Sequence, residues 1–329
     1  MKITVWENGS QKETTLDTLP NSTKKGNWID VTDPTTRDLE NLADLVRIPR
    51  SVLIGRLRSN YSHIDSYPDY IKFFSWHLSD SEQPSELNYS KDPVVVYTNK
   101  TSVITISSSR TGIRERVAQK FNDKSLAHIS VPLRVTYLVM LTNLEQHERL
   151  AEQVENIVEK FEETIPPWPR QFYHQSFLVK KEIDHLLRLR HFTKSVEFLI
   201  KDTNLTLTRE ERNAFDAVYD RAVGAEEQTE TSVEVIHDLI SIHIDTVSHE
   251  TSVAMKFMAA ITSIIAVPSV IGTLLGENLI DVPWPFQLWQ VILVSLSGAS
   301  LLALYFYRKG WFRDSKEIKE NAHNRKAIR

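Results

Sequence analysis

Cysteine is absent from all 329 residues. That excludes disulfide frameworks, thiol nucleophiles and every Cys-based zinc or iron–sulfur site. With only 9 Gly and 13 Pro, there is little room for disordered or collagen-like tracts. A strong charge balance is also missing. The formal net charge is −4 and the pI about 6.3, so no global field favours nucleic acid, and no nucleic-acid partner is expected. The N-terminal MKITVWENGS contains no apolar stretch, so no cleavable signal is expected there. No phosphate-binding glycine loop, nucleophile elbow or HExxH is found, and an enzyme is not expected. The mean hydropathy of −0.29 describes a soluble protein, but it averages over two different parts.

Two long uncharged runs lie near the C-terminal end. Phe257 to Gly276 is 20 residues without a charge, and Val282 to Tyr307 is 26. About 20 helical residues cross a bilayer core, so both runs read as transmembrane spans joined by the short loop GENLIDVP. The loop carries Glu277 and Asp281 and no basic residue, whereas residues 308–329 carry eight basic and three acidic side chains. The positive-inside rule therefore places the tail, and with it both termini, in the cytoplasm. Trp284 and Trp289 at one end, and Tyr305, Tyr307 and Trp311 at the other, suit the two interfaces with membrane lipid. Residues 1–253 retain 30 basic and 38 acidic side chains, an acidic mass that attracts cations.

That mass has two textures. Residues 1–133 read as a cytoplasmic α/β domain, with strands expected at Lys2–Trp6, Trp28–Val31, Ile71–Trp76, Val94–Thr98 and Ser102–Ser107. The last two form a hairpin around Asn99-Lys100. The turn Asp33-Pro34-Thr35 starts a helix, and the basic stretch RIPRSVLIGRLR reads as a solvated helix face. Residues 134–226 read as helical, and Thr208 with Glu211 three positions on is a capping-box pair.

Residues 227–275 read as one long stalk helix that runs into the first span at 254–275, with Pro268 tolerated inside it. The loop 276–283, the second span 284–307 and the basic tail 308–329 follow. Every third or fourth position of the long helix gives Thr231, Glu234, Asp238, Ser241, Asp245, Ser248, Ser252, Met255, Ala259, Thr262, Ala266, Ser269, Thr273 and Gly276. This seam has the period of a coiled coil, yet it is polar or small. Apolar residues, among them Ile236, Leu239, Ile242, Ile244 and Ile265, are expected on its flanks. A polar stripe between apolar flanks is the pattern of a helix in a bundle around water. Close packing of small residues is the other reading for Ala259 to Thr273. Two spans cannot enclose a channel, so a channel requires a ring of copies. Met255 and Met258 interrupt the stripe where an apolar constriction could gate by dewetting. His237, His243 and His249 recur at steps of six, off any one face, and read as surface or interface residues.

The stretch VSHETSVAMKFMAAITSIIAVPSVIGTLLGENLIDVPWPF and the second span ending YFYRKGWF resemble the CorA-type divalent metal ion (Mg²⁺/Co²⁺) transporter family. WIDVTDPT, YPDYIKFFSW and AVYDR extend the resemblance along the chain. It implies an α+β membrane protein assembled as a homopentamer in the cell membrane, with a cytoplasmic α/β domain, a stalk helix continuing into a pore-lining span, and an outer second span. The family's Gly-Met-Asn signature here reads Gly276-Glu277-Asn278. The resemblance implies that Asn278 holds a hydrated Mg²⁺ at the pore mouth, that Met255 and Met258 occupy gate positions, and that Ser252 and Ser269 line the pore; the seam adds Thr262 and Thr273 to the expected lining. Where the family places a regulatory carboxylate, this chain has Ala217, with Asp216 and Asp220 nearby. A second such position is Ser241, between Asp238 and Asp245. These four aspartates are the candidate cytoplasmic cation ligands. No resident cofactor is implied, the divalent ion being cargo or regulator. A Zn²⁺ or Ni²⁺ transporter of the same superfamily and a non-transporting membrane-anchored scaffold or sensor stand as alternatives.

Overall fold

The structure is a computed structural model and describes residues 1–7, 10–15, 19, 27–46, 48–55, 61–80, 89–163, 179–180, 183, 186–202, 206–276 and 287–312. Two compact units divide between His237 and Asp238.

The first unit is built on a seven-stranded sheet: β1 (Lys2–Glu7), β2 (Ser10–Thr14), β3 (Asn27–Thr32), β4 (His63–Ser66), β5 (Ile71–Asp80), β6 (Tyr89–Thr98) and β7 (Ser102–Ser107), in the order β2-β1-β3-β7-β6-β5-β4. Only the central β3–β7 pair is parallel. β3 is buried along its whole length, and its side chains alternate between two cores. Trp28 stacks on Trp6 at 3.9 Å between ring centroids and meets Phe121 at 5.5 Å. Ile29 and Val31 join the opposite core with Leu39, Leu42 and Ala43. Helices α1 (Thr36–Val46) and α2 (Arg50–Gly55) cover that second face, and α3 (Ile113–Phe121), α4 (Val131–Glu162) and α5 (Leu189–Lys201) contribute to the first.

Local chemistry sets the turns. Asp33 adopts a left-handed φ of 49°, which Asp tolerates better than most residues. It is followed by a reciprocal cap in which the Thr35 amide donates to Asp38 and the Asp38 amide to Thr35 Oγ1. In the β6–β7 hairpin, Asn99 Oδ1 accepts from the amides of Thr101 and Ser102, each at 2.8 Å. This is the local side-chain bonding that makes Asn a turn residue.

The long helix α6 spans Arg209–Gly276 and keeps Pro268 in its interior; α7 spans Leu288–Arg308. Both are long and apolar enough to cross a membrane. Their lengths correct the expected boundaries. The capping pair Thr208–Glu211 opens the long helix itself, so that helix begins at Arg209 rather than near 227. An exposed Gly224 inside it costs only about 1 kcal/mol, too little to end a helix held down by core contacts. Likewise, α4 begins at Val131. Strands β2 and β4 were not foreseen, because SQKET and HIDS lack an apolar alternation. The stretch around α2 is not simply solvated: Leu53 is fully buried, and the buried Lys72 and Tyr97 both donate to the carbonyl of Val52.

Candidate functional site

In the first unit, α6 buries Glu211, Phe215, Val218, Ala222, Ala225, Thr229, Ser232 and Ile236. Most of its apolar members belong to the core shared with α4, where Phe215 meets Tyr137 edge-on. In the second unit the same 3–4 rhythm continues through Leu239, His243, Thr246, Glu250, Val253, Phe257, Ala260, Ile264, Val267 and Ile271, each buried or half-buried. What covers the lower part of this stripe is the second span and its end. Phe257 meets Phe312 edge-on at 5.9 Å. A Cβ built on Gly298 of α7 would lie 3.1 Å from Val267 Cγ1, so the two helices approach closely.

The predicted polar seam is the buried stripe displaced by two residues at every step: 236 and 238, 243 and 245, 260 and 262, 271 and 273. Two residues turn a helix by about 200°. The seam therefore points away from everything its own chain packs against. Thr231, Glu234, Asp238, Ser241, Asp245, Ser248, Met255, Ala259, Thr262, Ala266, Ser269 and Thr273 are exposed, and Ser252 is half-buried. Met255 and Met258 are each 62% exposed; Met258 and Ala259 straddle the stripe one turn beyond Met255. Towards the N-terminus the rhythm continues through Glu227, Gly224, Asp220 and Ala217, all exposed, while Asp216 sits a step off and is half-buried. The expected flank is corrected in one respect. Ile236 and Leu239 belong to the buried stripe, whereas Ile242, Ile244 and Ile265 are exposed beside the seam.

Pairing distinguishes some carboxylates of this helix from others. Off the seam, Glu226 and Glu230 both bind Arg190, and Glu211 is held by Thr208 and Ser130. On it, Asp220, Glu227, Glu234, Asp238 and Asp245 have no cationic partner among the described residues. Nor does any group of three His or acidic side chains that could hold a metal occur within one chain, among the described residues. The seam offers its carboxylates one per turn or fewer, and a cation held by several of them needs the seams of several copies.

Within the span the three hydroxyls of the seam are committed. Thr262 Oγ1 donates to the carbonyl of Met258 at 2.8 Å, Ser269 Oγ to Ile265 at 2.9 Å and Thr273 Oγ1 to Ser269 at 2.8 Å. Gly276 is the last residue of α6; Glu277 and Asn278, and with them Trp284, lie outside the described residues. Of the three stalk histidines, His237 and His249 are exposed and off the seam. His243 is buried on the opposite stripe, where burial lowers its pKa against the pull of Glu250. The sequence reading placed no titratable group in the sheet. There, Asp30 is buried, accepts from Thr105 and Thr32, and is raised to about 6 chiefly by burial.

A family model described as CorA-like Mg²⁺ transporter protein matches residues 23–309. The chain is 21% identical over 327 residues to the cobalt/magnesium transport protein CorA of Methanocaldococcus jannaschii, covering 94% of this chain and 98% of that one. The complete structure of the CorA magnesium transporter from Methanocaldococcus jannaschii matches with a TM-score of 0.74 at 17% identity, over 94% of this chain and 99% of that chain. The cytoplasmic domain of ZntB from Vibrio parahaemolyticus matches with a TM-score of 0.59 at 10% identity, over 76% and 98%. At these identities the structural likeness speaks for the fold.

Proposed function

The chain belongs to the family of CorA-like Mg²⁺ transporter proteins, and from that premise we propose that it is a membrane transporter in which a ring of identical copies turns the α6 seams inward onto water. Five copies are the number the family resemblance implies. The observation that carries this reading is the division of the α6 faces. The stripe that the chain buries against itself is opposite the seam, and the seam keeps its carboxylates without a cationic partner among the described residues, while Glu226 and Glu230 beside it share Arg190. An unpaired acidic face on a helix that continues into an apolar span is what an aqueous cation path needs.

The residues then have distinct tasks. Asp238 and Asp245, repeated around the ring with Asp220, Glu227 and Glu234, raise the local cation concentration at the cytoplasmic end. Met255 and Met258 form the apolar constriction, closed when its water is expelled. Thr262, Ser269 and Thr273 line the span, and Gly276, Glu277 and Asn278 form the outer mouth, where Asn278 bonds the ion's water shell. Asp216 is off the path and Asp220 on it, so Asp220 is the better stand-in for the carboxylate missing at Ala217. No ATP-driven step is needed. A divalent ion gains roughly 4.6 kcal/mol from each 100 mV of membrane potential, and an interior-negative potential makes entry the downhill direction.

Mg²⁺ is the favoured cargo. Apart from the thioether of Met255, every polar side-chain atom of the seam from Thr231 to Thr273 is oxygen, which suits a hard ion. The ZntB-like fold of the first unit supports Zn²⁺ as the second reading; it lacks imidazole or thiolate donors on the seam. Flux of Mg²⁺, Co²⁺, Zn²⁺ and Ni²⁺ into proteoliposomes tests both. Mg²⁺ should enter, Asn278→Ala should abolish its entry, and Glu277→Met should leave it in place. Entry of Zn²⁺ but not Mg²⁺ overturns the choice of cargo, and entry of none overturns transport.

A further inference from the structure

From Thr251 to Phe312 the chain carries five charges. The two acids, Glu277 and Asp281, fall in the sequence between the spans. The three cations, Lys256, Arg308 and Lys309, fall at the other end of both spans, before the uncharged run of α6 and after that of α7. All three are exposed, and among the described residues none of them forms an ion pair. Lys309 instead holds its Nζ 5.9 Å from the centroid of the Tyr305 ring. A local fold brings these side chains to one level. α7 stops where Gly310 takes a φ of 82°, the left-handed conformation that glycine enters without strain, and the Gly310 amide donates to the carbonyl of Tyr307 at 3.1 Å. Trp311 then stacks on Phe306 with 4.8 Å between ring centroids, and Phe312 meets Phe257 of α6 edge-on. Lys256 precedes Phe257, and Lys309 lies three residues before Phe312, so the aromatic contact ties the cation of one span to those of the other. Beside them α7 leaves Leu301, Leu304, Tyr305 and Tyr307 exposed, an apolar and aromatic surface that runs up to the charges.

We propose that Lys256, Arg308 and Lys309 form a binding site for the phosphodiester headgroup of an anionic membrane phospholipid, whose acyl chains lie along α7. The inference rests on α6 and α7 being membrane spans, and not on what the seam conducts. Lys and Arg reach the headgroup layer along their aliphatic stems, and the aromatic rings around them favour the same depth. A negatively charged lipid surface attracts each nearby cation. A zwitterionic headgroup brings an ammonium of its own to the same place, so three cations without an acidic neighbour favour a lipid of net negative charge. Free phosphate has no chain to cover Leu301 and Leu304, which is why the occupant is a lipid. The contact of Lys309 with Tyr305 already holds one ammonium against a ring face, which lessens what binding must still order.

Trp311, stacked at the site, is the reporter. Full-length protein with Trp284→Phe and Trp289→Phe is placed in bilayers of equal phosphatidylglycerol and phosphatidylcholine, with bromine on the chains of one lipid or the other. The remaining tryptophans, Trp6, Trp28, Trp76 and Trp168, lie outside the spans. Brominated phosphatidylglycerol should quench Trp311 more strongly, with an apparent preference of about threefold or more. Lys256→Gln, Arg308→Gln and Lys309→Gln together should bring the two lipids close to parity. Lys316→Gln with Lys319→Gln, in the basic tail, should leave the preference in place. Light scattering in detergent checks that each variant assembles as the parent does. If the tryptophan-depleted background does not assemble, thermal melts of the parent and the glutamine variant with either lipid added carry the comparison. Phosphatidylglycerol should then stabilise the parent more than phosphatidylcholine does, and the glutamine variant no more. Equal effects of the two lipids on the parent overturn the site. So does a preference that survives the three glutamines or is lost with the tail charges, which assigns it to the tail. Transport is untouched by either result, because the flux panel tests it separately.

Discussion

The carboxylate of Glu211 accepts from both the amide and the hydroxyl of Ser130, at 3.1 and 2.7 Å, across 81 residues of sequence. Its second oxygen accepts from the amide of Thr208 at 2.9 Å. One side chain thus closes the first turn of α4 and the first turn of the long helix, and satisfies amide donors that both helix starts would otherwise leave bare. Burial pushes this carboxyl up, but the bonds from Thr208 and Ser130 outweigh it and hold it below its ordinary value.

Glu211→Ala should therefore destabilise the first unit by about 1–2 kcal/mol, the range of a lost cap with partners left unsatisfied. Because the folded pKa is depressed, the ionised state favours folding. The contribution is complete above the unfolded value near 4.5 and is lost as pH falls through the lower folded value. Thermal melts of parent and variant at pH 7 and pH 4 should show a larger gap at pH 7. An equal gap at both pH values would show that charge is not what Glu211 contributes.

Asp30 has the opposite sign. It is 1% exposed, and burial raises its pKa from 3.8 to about 6 against the hydroxyls of Thr105 and Thr32. The folded state therefore holds a proton that the unfolded chain has released between about pH 4 and pH 6. Stability from this residue is greatest below the unfolded value and declines as pH rises through that window, by up to about 3 kcal/mol. Asp30→Asn should gain on the parent as pH climbs from 4 to 7 in the same melts. A difference that does not change with pH would remove Asp30 as the cause.

The long helix and its seam were legible from sequence because a polar period of 3.5 survives any environment. Which side of the helix is buried was not. Ile236 and Leu239 differ from Ile242 and Ile244 only in phase, and phase is decided by α4 in one unit and by α7 in the other. The hairpin at Asn99 and the cap at Thr208 were visible as local chemistry, but the helix that the cap opens runs on past residue 227. Edge strands β2 and β4 pair with their sequence neighbours β1 and β5, but have no apolar rhythm of their own to announce them. Asp30 was invisible for a related reason: a single carboxylate in WIDVT gives no sign that Thr105 on another strand will bury it.

Gly298 lies close against the first span, with Val267 Cγ1 3.1 Å from the place a Cβ would take. Gly298→Ala should be tolerated with a small loss, since Val267 needs to yield only a few tenths of an ångström. Gly298→Leu should force the helices apart at the level of the seam's outer half and lower the detergent melting point, with overpacking costing about 1–3 kcal/mol. A leucine variant as stable as the parent would show that α6 and α7 are not held together at this point.

Met255 on the seam and Met258 beside it, both exposed near the start of the span, offer the sharpest test of the gate. A constriction of thioether side chains closes by losing its water, so its barrier depends on both width and polarity. Met255→Ala widens it, and Met255→Ser both widens and wets it. If these residues gate, basal Mg²⁺ entry should rise in each, more in the serine variant, and Met258→Ala should add to either one. If they merely fill space between neighbouring helices, the same substitutions leave a cavity. Flux would then stay level or fall while the oligomer loosens in light scattering. The two readings predict changes of opposite sign in one flux assay.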